Sequence, residues 1–476
     1  MVFSSNAFLF LFLPLFLSAY YLTPNTRRLR NYVILAGSYV FYGWWRPDFL
    51  LLFTAVTAFN YGVGNMIGKH GARTPGARRW MRIGVVVDLA VLGYFKYANF
   101  GVDSFNEAIA AFGMAPFSMT KVLLPIGISF YIFESISYVI DVYRGSVKAT
   151  RHPVDFATFV ALFPHLIVGP LFRYKDLAGQ FEHRDHSMDL FGRGAVRFMQ
   201  GFVKKVVIAD TLSPLVNYCF VLPEPTTGDV WLGVLAYGAQ LYFDFAGYSD
   251  MAIGLGLMMG FKFIENFNRP FLSQSVTEFW RRWHISLSTW LRDYVFYSLG
   301  GSGRKTKLRM HFMVFVTFLI GGVWHGANWT FILWGAMQGA LLFTERMLGV
   351  SGQPDGFKWW RWAPTFLFSV AFSLVLFRAD SVGRAIEMYK PMLFMKDIGG
   401  VSDPLLAVVT AMQIATLILA YGLVVFEGLR EYGPKLTLGS EQQRVLASVF
   451  LLVPLFVLAI TKLSAQGYSA FLYFQF

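Results

Sequence analysis

Two histidines, His284 and His325, stand out among the residues that could do chemistry, because both lie in apolar and aromatic surroundings. His284 belongs to the stretch EFWRRWHISLSTWLRDYVF, and His325 belongs to GGVWHGANWTFILWG. Burial disfavours the protonated form of a histidine and leaves a neutral imidazole that can accept a proton. A general base that activates a hydroxyl for attack on a thioester needs this property. The two histidines therefore predict acid–base chemistry of this kind.

His325 lies in an apolar segment, Phe312–Trp334, that is long enough to cross a membrane. Gly321, Gly322 and Gly326 surround it and would let another backbone or a thin ligand approach closely. An ionisable residue inside a membrane-spanning segment is costly, so function is the default interpretation. A histidine that only stabilises tertiary structure is the alternative. We expect His325 to be catalytic or to line a pathway.

The residues from Glu278 to Tyr294 fit one amphipathic helix. Its tryptophans and leucines share one side, while the opposite side carries Arg281, Arg282 and Arg292. His284 falls at the boundary between the two sides. Such a helix can be an interfacial anchor with its arginines toward water. The alternative is that the arginines bind anionic phosphates through forked, charge-assisted hydrogen bonds, while His284 faces an apolar channel.

The composition is that of a helical membrane protein. Of 476 residues, 55% are hydrophobic, 18% aromatic and 14% charged, whereas soluble domains average about 25% charged residues. Apolar runs of roughly 17–22 residues recur along the chain, and each can span about 30 Å of hydrocarbon. The predicted fold class is therefore an all-α polytopic membrane protein, a bundle of roughly 11–13 membrane helices and re-entrant segments.

The net charge of +13 and the single cysteine limit the kinds of partner and site that the protein can have. In a membrane protein, basic residues concentrate in cytoplasmic loops, so the charge indicates topology first. Cys219 alone cannot form an intrachain disulfide, a cysteine redox pair or a multi-cysteine metal site. We expect membrane lipid as a partner, no nucleic acid and no metal.

Basic and non-basic loops alternate through the first five predicted spans, which puts the N-terminus outside the cytoplasm. These spans are Ala7–Leu22, Tyr32–Trp45, Phe49–Ile67, Ile83–Tyr97 and Val122–Val142. Later spans are predicted at 193–215, 229–242, 331–343, 364–377, 405–426 and 445–460.

Polar residues interrupt three of the apolar segments. The segment Phe159–Asp176 contains two prolines and predicts a re-entrant or bent element that lines a cavity. For His165 within it, and for Glu134 in the fifth span, a structural hydrogen bond is favoured over catalysis. Asp244 and Asp250 flank a glycine, which predicts a broken or kinked helix there. Close helix packing at the glycines that follow Asp250 is the alternative.

These segments resemble the membrane-bound O-acyltransferase family. The resemblance is carried by LLPIGISFYIFESISYVIDVYRG, FPHLIVGPLFR, LYFDFAGYSDMAIGLGLMMGF and the two histidine-containing stretches. Within the family, the chain is similar to the bacterial exopolysaccharide branch, and most similar to the membrane subunit of alginate O-acetylation. The bacterial cellulose-acetylating relatives share nearly the same motifs.

The resemblance implies a bundle of helices around a tunnel, in a single integral-membrane acyltransferase domain over residues 1–476. N-terminal spans would occupy 1–150, the catalytic core 151–345 and C-terminal spans 346–476. His325 matches the family's invariant histidine, and His284 matches the second histidine of the bacterial branch. The resemblance also implies acetyl-CoA as the cytoplasmic donor, with no permanently bound cofactor. It implies a periplasmic acetyltransferase partner protein and a multi-pass location in the bacterial inner membrane.

The sequence thus predicts a membrane O-acetyltransferase in which His325 and His284 are catalytic. Residues predicted to bind the donor are Arg281, Arg282, Arg292, Trp283 and Asn328. A proton-coupled transporter or export component, with the histidines as a proton relay, is an alternative that predicts internal repeats, and the sequence contains none that we detect. A non-catalytic scaffold for polymer-modifying enzymes is a further alternative.

Overall fold

The computed structural model of the protein describes residues 1–301, 306–433 and 441–466. The first helices are α1 (Leu13–Leu22), α2 (Arg27–Gly43), α3 (Asp48–His70), α4 (Pro75–Ala110), α5 (Ile128–Arg144), α6 (Pro153–Ala161), α7 (Phe163–Leu166), α8 (Tyr174–Leu177) and α9 (Met188–Val203). The later helices are α10 (Asp210–Val221), α11 (Thr227–Met258), α12 (Val276–Arg282), α13 (Ile285–Trp290), α14 (Lys307–His325), α15 (Trp329–Met347), α16 (Trp359–Phe366), α17 (Ser373–Arg378), α18 (Val382–Met392), α19 (Asp403–Leu406), α20 (Ala411–Tyr432) and α21 (Glu441–Gln466). Segments of π-helix lie at Phe8–Phe12, Lys204–Ala209, Leu291–Phe296 and Leu367–Phe372, and 3₁₀ turns at Ala178–Phe181 and Pro270–Leu272.

Five helical segments of the described residues are long and apolar enough to cross a membrane. They are α3, α4, α14, the run Trp359–Arg378 through α16 and α17, and α20. Shorter apolar helices lie at Phe8–Leu22 and Val449–Ala465. No β-strand occurs in the ranges that the structure describes. The protein is an all-α, multi-pass membrane protein, and the predicted fold class is confirmed.

The chain forms two compact units, residues 1–192 with 255–263, and residues 193–254 with 264–476. Both predicted catalytic histidines belong to the second unit. The single domain over 1–476, with its subdivision at 150 and 345, stays a prediction.

In the first unit, the broken segment after α6 is held by aromatic packing and a buried polar pair. The Phe163 ring contacts those of Phe16 and Phe12, with centroids 4.9 and 5.3 Å away. Nδ1 of His165 lies 2.7 Å from Oε1 of Glu134, and both side chains are fully buried. This contact gives each of them a partner on another helix, as the structural interpretation of these two residues expects.

In the second unit, α11 runs unbroken past its glycines, so the predicted helix break between Asp244 and Asp250 is wrong. A Cβ on Gly247 would lie 2.7 Å from the Gly201 carbonyl oxygen, and a Cβ on Gly254 would lie 2.6 Å from the Gly194 carbonyl oxygen. The glycines therefore let α11 pack directly on α9, which is the alternative use. The Asp250 carboxylate is paired within an unbroken helix. Arg197 of α9 and Lys204, which directly follows α9, each lie 2.7 Å from it.

The apolar run Phe312–Trp334 is not one span but the closed end of a helical hairpin. Within this run, α14 ends at His325, the chain continues through an extended Gly326 (φ −165°), and α15 begins after Asn328. The two helices cross closely, because Gly322 and Gly335 face each other. A Cβ on Gly335 would lie 2.7 Å from the Phe318 carbonyl oxygen and 2.8 Å from Cα of Gly322. This crossing fixes the position of His325 at the end of α14.

We expect Gly335→Ala to lower the melting temperature of the detergent-solubilised protein, because the added methyl group meets backbone atoms of α14. Overpacking of this kind costs roughly 1–3 kcal/mol. Gly422→Ala in α20 is the matched control, since a Cβ there meets no atom within 4 Å and alanine favours the helix. Equal melting temperatures for the two variants would contradict the close crossing.

Candidate active site

His325 ends α14 inside an aromatic cage. Its side chain is buried, and its ring centroid lies 4.8 Å from Trp324, 4.9 Å from Trp334 and 5.1 Å from Phe377. All three rings meet the imidazole edge-to-face. The cage fixes the plane of the imidazole and keeps bulk water from its faces.

A narrow cavity of about 30 Å³ lies beside His325, and we call it the histidine cavity. Aromatic and aliphatic side chains form most of its wall, and its polar lining besides His325 consists of Gln338, Ser369 and Ser373. A cavity needs about 10–15 Å³ to hold one water molecule. The histidine cavity therefore admits water-sized groups or a thin chain.

A second, larger pocket of about 390 Å³ is lined by Arg281, Arg292 and Arg346, and we call it the arginine pocket. Its remaining lining is apolar or uncharged, so three cations converge on it without a carboxylate in the wall. The sequence predicted Arg281 and Arg292 for anion binding but missed Arg346, which lies beyond the end of the predicted span 331–343. Arg346 belongs instead to the last turn of α15, and the hairpin returns it to the start of α14.

Trp280 lines both pockets and forms the partition between them. Its indole Nε1 donates to Oε1 of Gln338 (3.1 Å), and Nε2 of Gln338 donates to the Ser369 carbonyl oxygen (3.1 Å). The Trp280 ring also packs against Phe318 at 4.7 Å. Because Gln338 is fully buried and uses both ends of its amide, it holds the partition in one orientation.

His284 lies at a break between two helices, so the prediction of one helix from Glu278 to Tyr294 is wrong. Helix α12 ends at Arg282, His284 adopts a left-handed conformation (φ 43°, ψ 54°), and α13 begins at Ile285. The loop before α12 supplies the reason. The Asn266 carbonyl oxygen accepts from Ile285 N at 2.9 Å, which ties the break to that loop.

The Asn266 side chain also fixes the tautomer of His284. Oδ1 of Asn266 accepts from the backbone N–H of Ser286 (3.2 Å), which identifies it as the oxygen, and it lies 3.1 Å from Nδ1 of His284. Nδ1 therefore carries the proton and donates to Asn266. Nε2 of His284 is buried and has no hydrogen-bond partner among the described residues.

Burial lowers the pKa of His284 to about 3, so the imidazole is neutral at physiological pH. His284 lies between two short helices, outside the candidate membrane spans. With Nδ1 protonated, Nε2 presents a lone pair that can accept a proton or a hydrogen bond. His284 does not line the histidine cavity or the arginine pocket. Its neighbours in the chain line these pockets: Trp283 lines the histidine cavity, and Ile285 lines the arginine pocket.

Comparisons with known proteins fit this arrangement. The sequence model of the membrane-bound O-acyltransferase family (MBOAT) matches residues 147–383. A probable alginate O-acetylase AlgI of Azotobacter vinelandii is 55% identical over 100% of both chains. A peptidoglycan O-acetyltransferase of Helicobacter pylori is 32% identical over 84% of this chain and 81% of its own length. A teichoic acid D-alanyltransferase of Bacillus subtilis is 30% identical over 53% of this chain and 67% of its own length.

The chain belongs to the membrane-bound O-acyltransferase family. The predictions of family and enzyme class are thereby confirmed. The matched range of the family model contains His284, His325 and the three arginines of the arginine pocket.

Arg282 of this acyltransferase forms ion pairs with carboxylates and does not line the arginine pocket. Its guanidinium lies 2.7 Å from Glu278 and 2.7 Å from Glu431 of α20, and its side chain is only 9% exposed. Glu431 also pairs with Arg269 at 3.1 Å. The placement favours a structural role for Arg282, because a guanidinium held by two carboxylates is not available to a phosphate.

Two further predicted donor-binding residues of the acyltransferase are placed differently from the arginines. Trp283 lines the histidine cavity and packs between aromatic rings, including Phe267 at 5.1 Å. Asn328 caps α15: its Oδ1 accepts from Thr330 N (3.0 Å) and its Nδ2 donates to the Asp380 carbonyl oxygen (2.8 Å). Both polar atoms of Asn328 are thus used to hold the end of the hairpin.

We expect Arg282→Met to destabilise the acyltransferase strongly, because it leaves Glu278 and Glu431 without their shared cation. Breaking a buried ion pair costs roughly 3–5 kcal/mol, which a thermal melt in detergent measures. Arg281→Met removes an exposed arginine one position earlier and should leave the melting temperature nearly unchanged. A similar loss of stability in both variants would argue against the network.

The lowered pKa of His284 predicts a pH-dependent stability. In the unfolded chain a histidine takes up a proton below about pH 6.5, whereas folded His284 stays neutral down to about pH 3. The unfolded state therefore binds more protons between these values. The contribution of neutral His284 to the free energy of unfolding is fully present above pH 6.5. It is lost as the pH falls toward 3, by up to about 1.4 kcal/mol per pH unit.

The measurement is the melting temperature of wild type and of His284→Gln between pH 7.5 and 5. We expect the wild type to lose more stability than the variant over this range, because only the wild type has the buried imidazole. Parallel curves for the two proteins would contradict a neutral, buried His284.

Proposed function

We propose that this acyltransferase takes acetyl from acetyl-CoA and passes it toward the periplasm for O-acetylation of an exopolysaccharide, alginate in the first instance. One observation carries the proposal: a pocket with three arginines adjoins the cavity of a buried histidine, with Trp280 between them. The arginines suit the phosphates of coenzyme A, because guanidinium groups bind phosphate oxygens in forked pairs. The names of the relatives, an alginate O-acetylase above all, support the acyl group and the polymer.

The spacing along α15 suits a donor with a long arm. Arg346 follows Trp334 by twelve residues, which is roughly 18 Å of helix at about 1.5 Å per residue. A donor whose phosphates bind in the arginine pocket must therefore reach His325 with an extended, uncharged chain. The narrow histidine cavity accepts such a chain with a small acyl group at its end.

His325 would act as the general base. It removes the proton of the acceptor hydroxyl while that oxygen attacks the thioester carbonyl carbon. The carbon–sulfur bond then breaks, and the imidazolium returns the proton to the coenzyme A thiolate. No oxidant or covalent enzyme intermediate is needed. His284 lines neither pocket, and its neutral imidazole would orient the acceptor on its way to His325 by accepting a hydrogen bond at Nε2.

The acceptor would be a periplasmic acetyltransferase partner of the exopolysaccharide machinery, which then modifies the polymer. This role requires the chain to reside in the bacterial inner membrane, with the arginine pocket facing the cytoplasmic donor. The multi-pass architecture is compatible with that location.

Reconstitution of the purified protein in liposomes with labelled acetyl-CoA and a candidate periplasmic partner tests the proposal. His325→Ala should lower kcat by about 10²–10⁴-fold, the usual contribution of a general base. Arg346→Gln should raise KM for acetyl-CoA roughly tenfold with kcat little changed, because it removes a charged contact to bound donor. Arg309→Gln, an exposed arginine outside the pocket, is the matched control.

Full transfer by His325→Ala would overturn the catalytic assignment. An unchanged KM in Arg346→Gln would separate the arginine pocket from donor binding. Melting temperatures near that of wild type are required of each variant, so that a loss of activity is not a loss of fold.

A further inference from the structure

The polar side chains of the histidine cavity differ in how far their hydrogen-bonding capacity is used. Gln338 spends both ends of its amide on Trp280 and Ser369. The Ser373 hydroxyl donates to the Ser369 carbonyl oxygen at 2.6 Å and also lies 3.3 Å from the Val370 carbonyl oxygen. The Ser369 hydroxyl has no partner among the described residues, although its side chain is only 2% exposed.

A buried serine in a helix ordinarily donates to the carbonyl one turn earlier. Thr365 and Ser373 do so within the same helical run, to Arg361 and Ser369 respectively. Ser369 does not, and it lies in the π-helical segment Leu367–Phe372, where the turn is widened. Single π-turns inside α-helices are frequent at functional sites. The segment thus leaves one hydroxyl in the lining of the histidine cavity without a structural use.

We propose that the Ser369 hydroxyl donates a hydrogen bond to the carbonyl oxygen of the acyl group during transfer. This inference rests on the proposed function, because it concerns the same reaction. As the acceptor oxygen attacks, the electron pair of the C=O bond moves onto the carbonyl oxygen, and the Ser369 O–H stabilises that negative charge. When the carbonyl re-forms, the thiolate leaves and takes the proton held by His325. Ser369 itself forms no covalent bond and returns unchanged.

The position of Ser369 suits a donor to the oxyanion. It lines the same narrow cavity as His325, together with Trp280 and Gln338, which are hydrogen-bonded to each other. A donor that is fixed by the helix before the substrate arrives needs no reorganisation when charge develops, which is the condition for electrostatic stabilisation of a transition state. The absence of a competing acceptor among the described residues leaves the O–H available for the substrate.

Ser369→Ala and Thr365→Val form a matched pair, because each removes one hydroxyl from the same helical run, and Thr365 lines neither the histidine cavity nor the arginine pocket. Ser369→Ala should lower kcat by about 10²–10³-fold, the usual cost of losing one oxyanion donor, with KM for acetyl-CoA unchanged within about twofold. Its melting temperature should equal or exceed that of wild type, because the hydroxyl makes no intramolecular bond. Thr365→Val should behave in the opposite way, with a lower melting temperature, because it loses the hydrogen bond to the Arg361 carbonyl oxygen, and with nearly wild-type kcat.

Several outcomes overturn the inference. They are wild-type kcat in Ser369→Ala, equal losses of kcat in the two variants, or acetyl bound to Ser369 in mass spectra of protein quenched during turnover. The last result would make Ser369 a nucleophile and acyl carrier in place of a hydrogen-bond donor. Measuring His325→Ala in the same assay separates the proposal for Ser369 from the proposed function. If His325→Ala abolishes transfer while Ser369→Ala does not, the inference alone fails, and if His325→Ala transfers normally, the proposed function fails.

Discussion

The close crossing of α14 and α15 at Gly322 and Gly335 is the constraint on which the site depends. Because no side chain separates the two backbones, the helices can lie against each other along their length. The hairpin then holds His325 at its closed end and Arg346 at the far end of α15. Gln338, midway along α15, carries the bonds that fix Trp280 between the two pockets. A wider crossing would loosen each of these positions together, since they share one rigid element.

Much of the fold follows from the length and spacing of apolar runs. Four of the five described spans overlap segments predicted from hydropathy, because a lipid-facing helix must be apolar over its whole length. Among them, α20 (Ala411–Tyr432) is shifted toward the C-terminus from the predicted 405–426. The aromatic environment of His325 was also foreseeable, since the tryptophans are its neighbours in the chain. Local composition therefore predicts which segments are helical and that His325 has an aromatic environment.

Prediction from the sequence fails where a distant residue determines the local structure. The helix break at His284 is fixed by Asn266, and periodicity alone cannot detect a hydrogen bond from a loop that precedes α12. Arg282 looked equivalent to Arg281 on a helical projection, yet Glu431 of α20 captures it. Asp250 looked like a helix breaker until its partners on the α9 segment were known. In each case the missing information is the identity of a partner far away in the chain.

The two histidines have different surroundings, although the sequence presents them as a pair. His284 is held neutral by burial, and Asn266 dictates which nitrogen carries its proton, so it can accept a hydrogen bond but is a poor acid near neutral pH. His325 is instead caged by aromatic rings beside a cavity with further polar groups. Acyl transfer needs one group that gains and then returns a proton, and others that only orient the reactants or stabilise charge. The surroundings of His325 suit the first task, and the fixed tautomer of His284 suits the second. A symmetrical proton relay through both histidines would require His284 to hold a charge that its burial opposes.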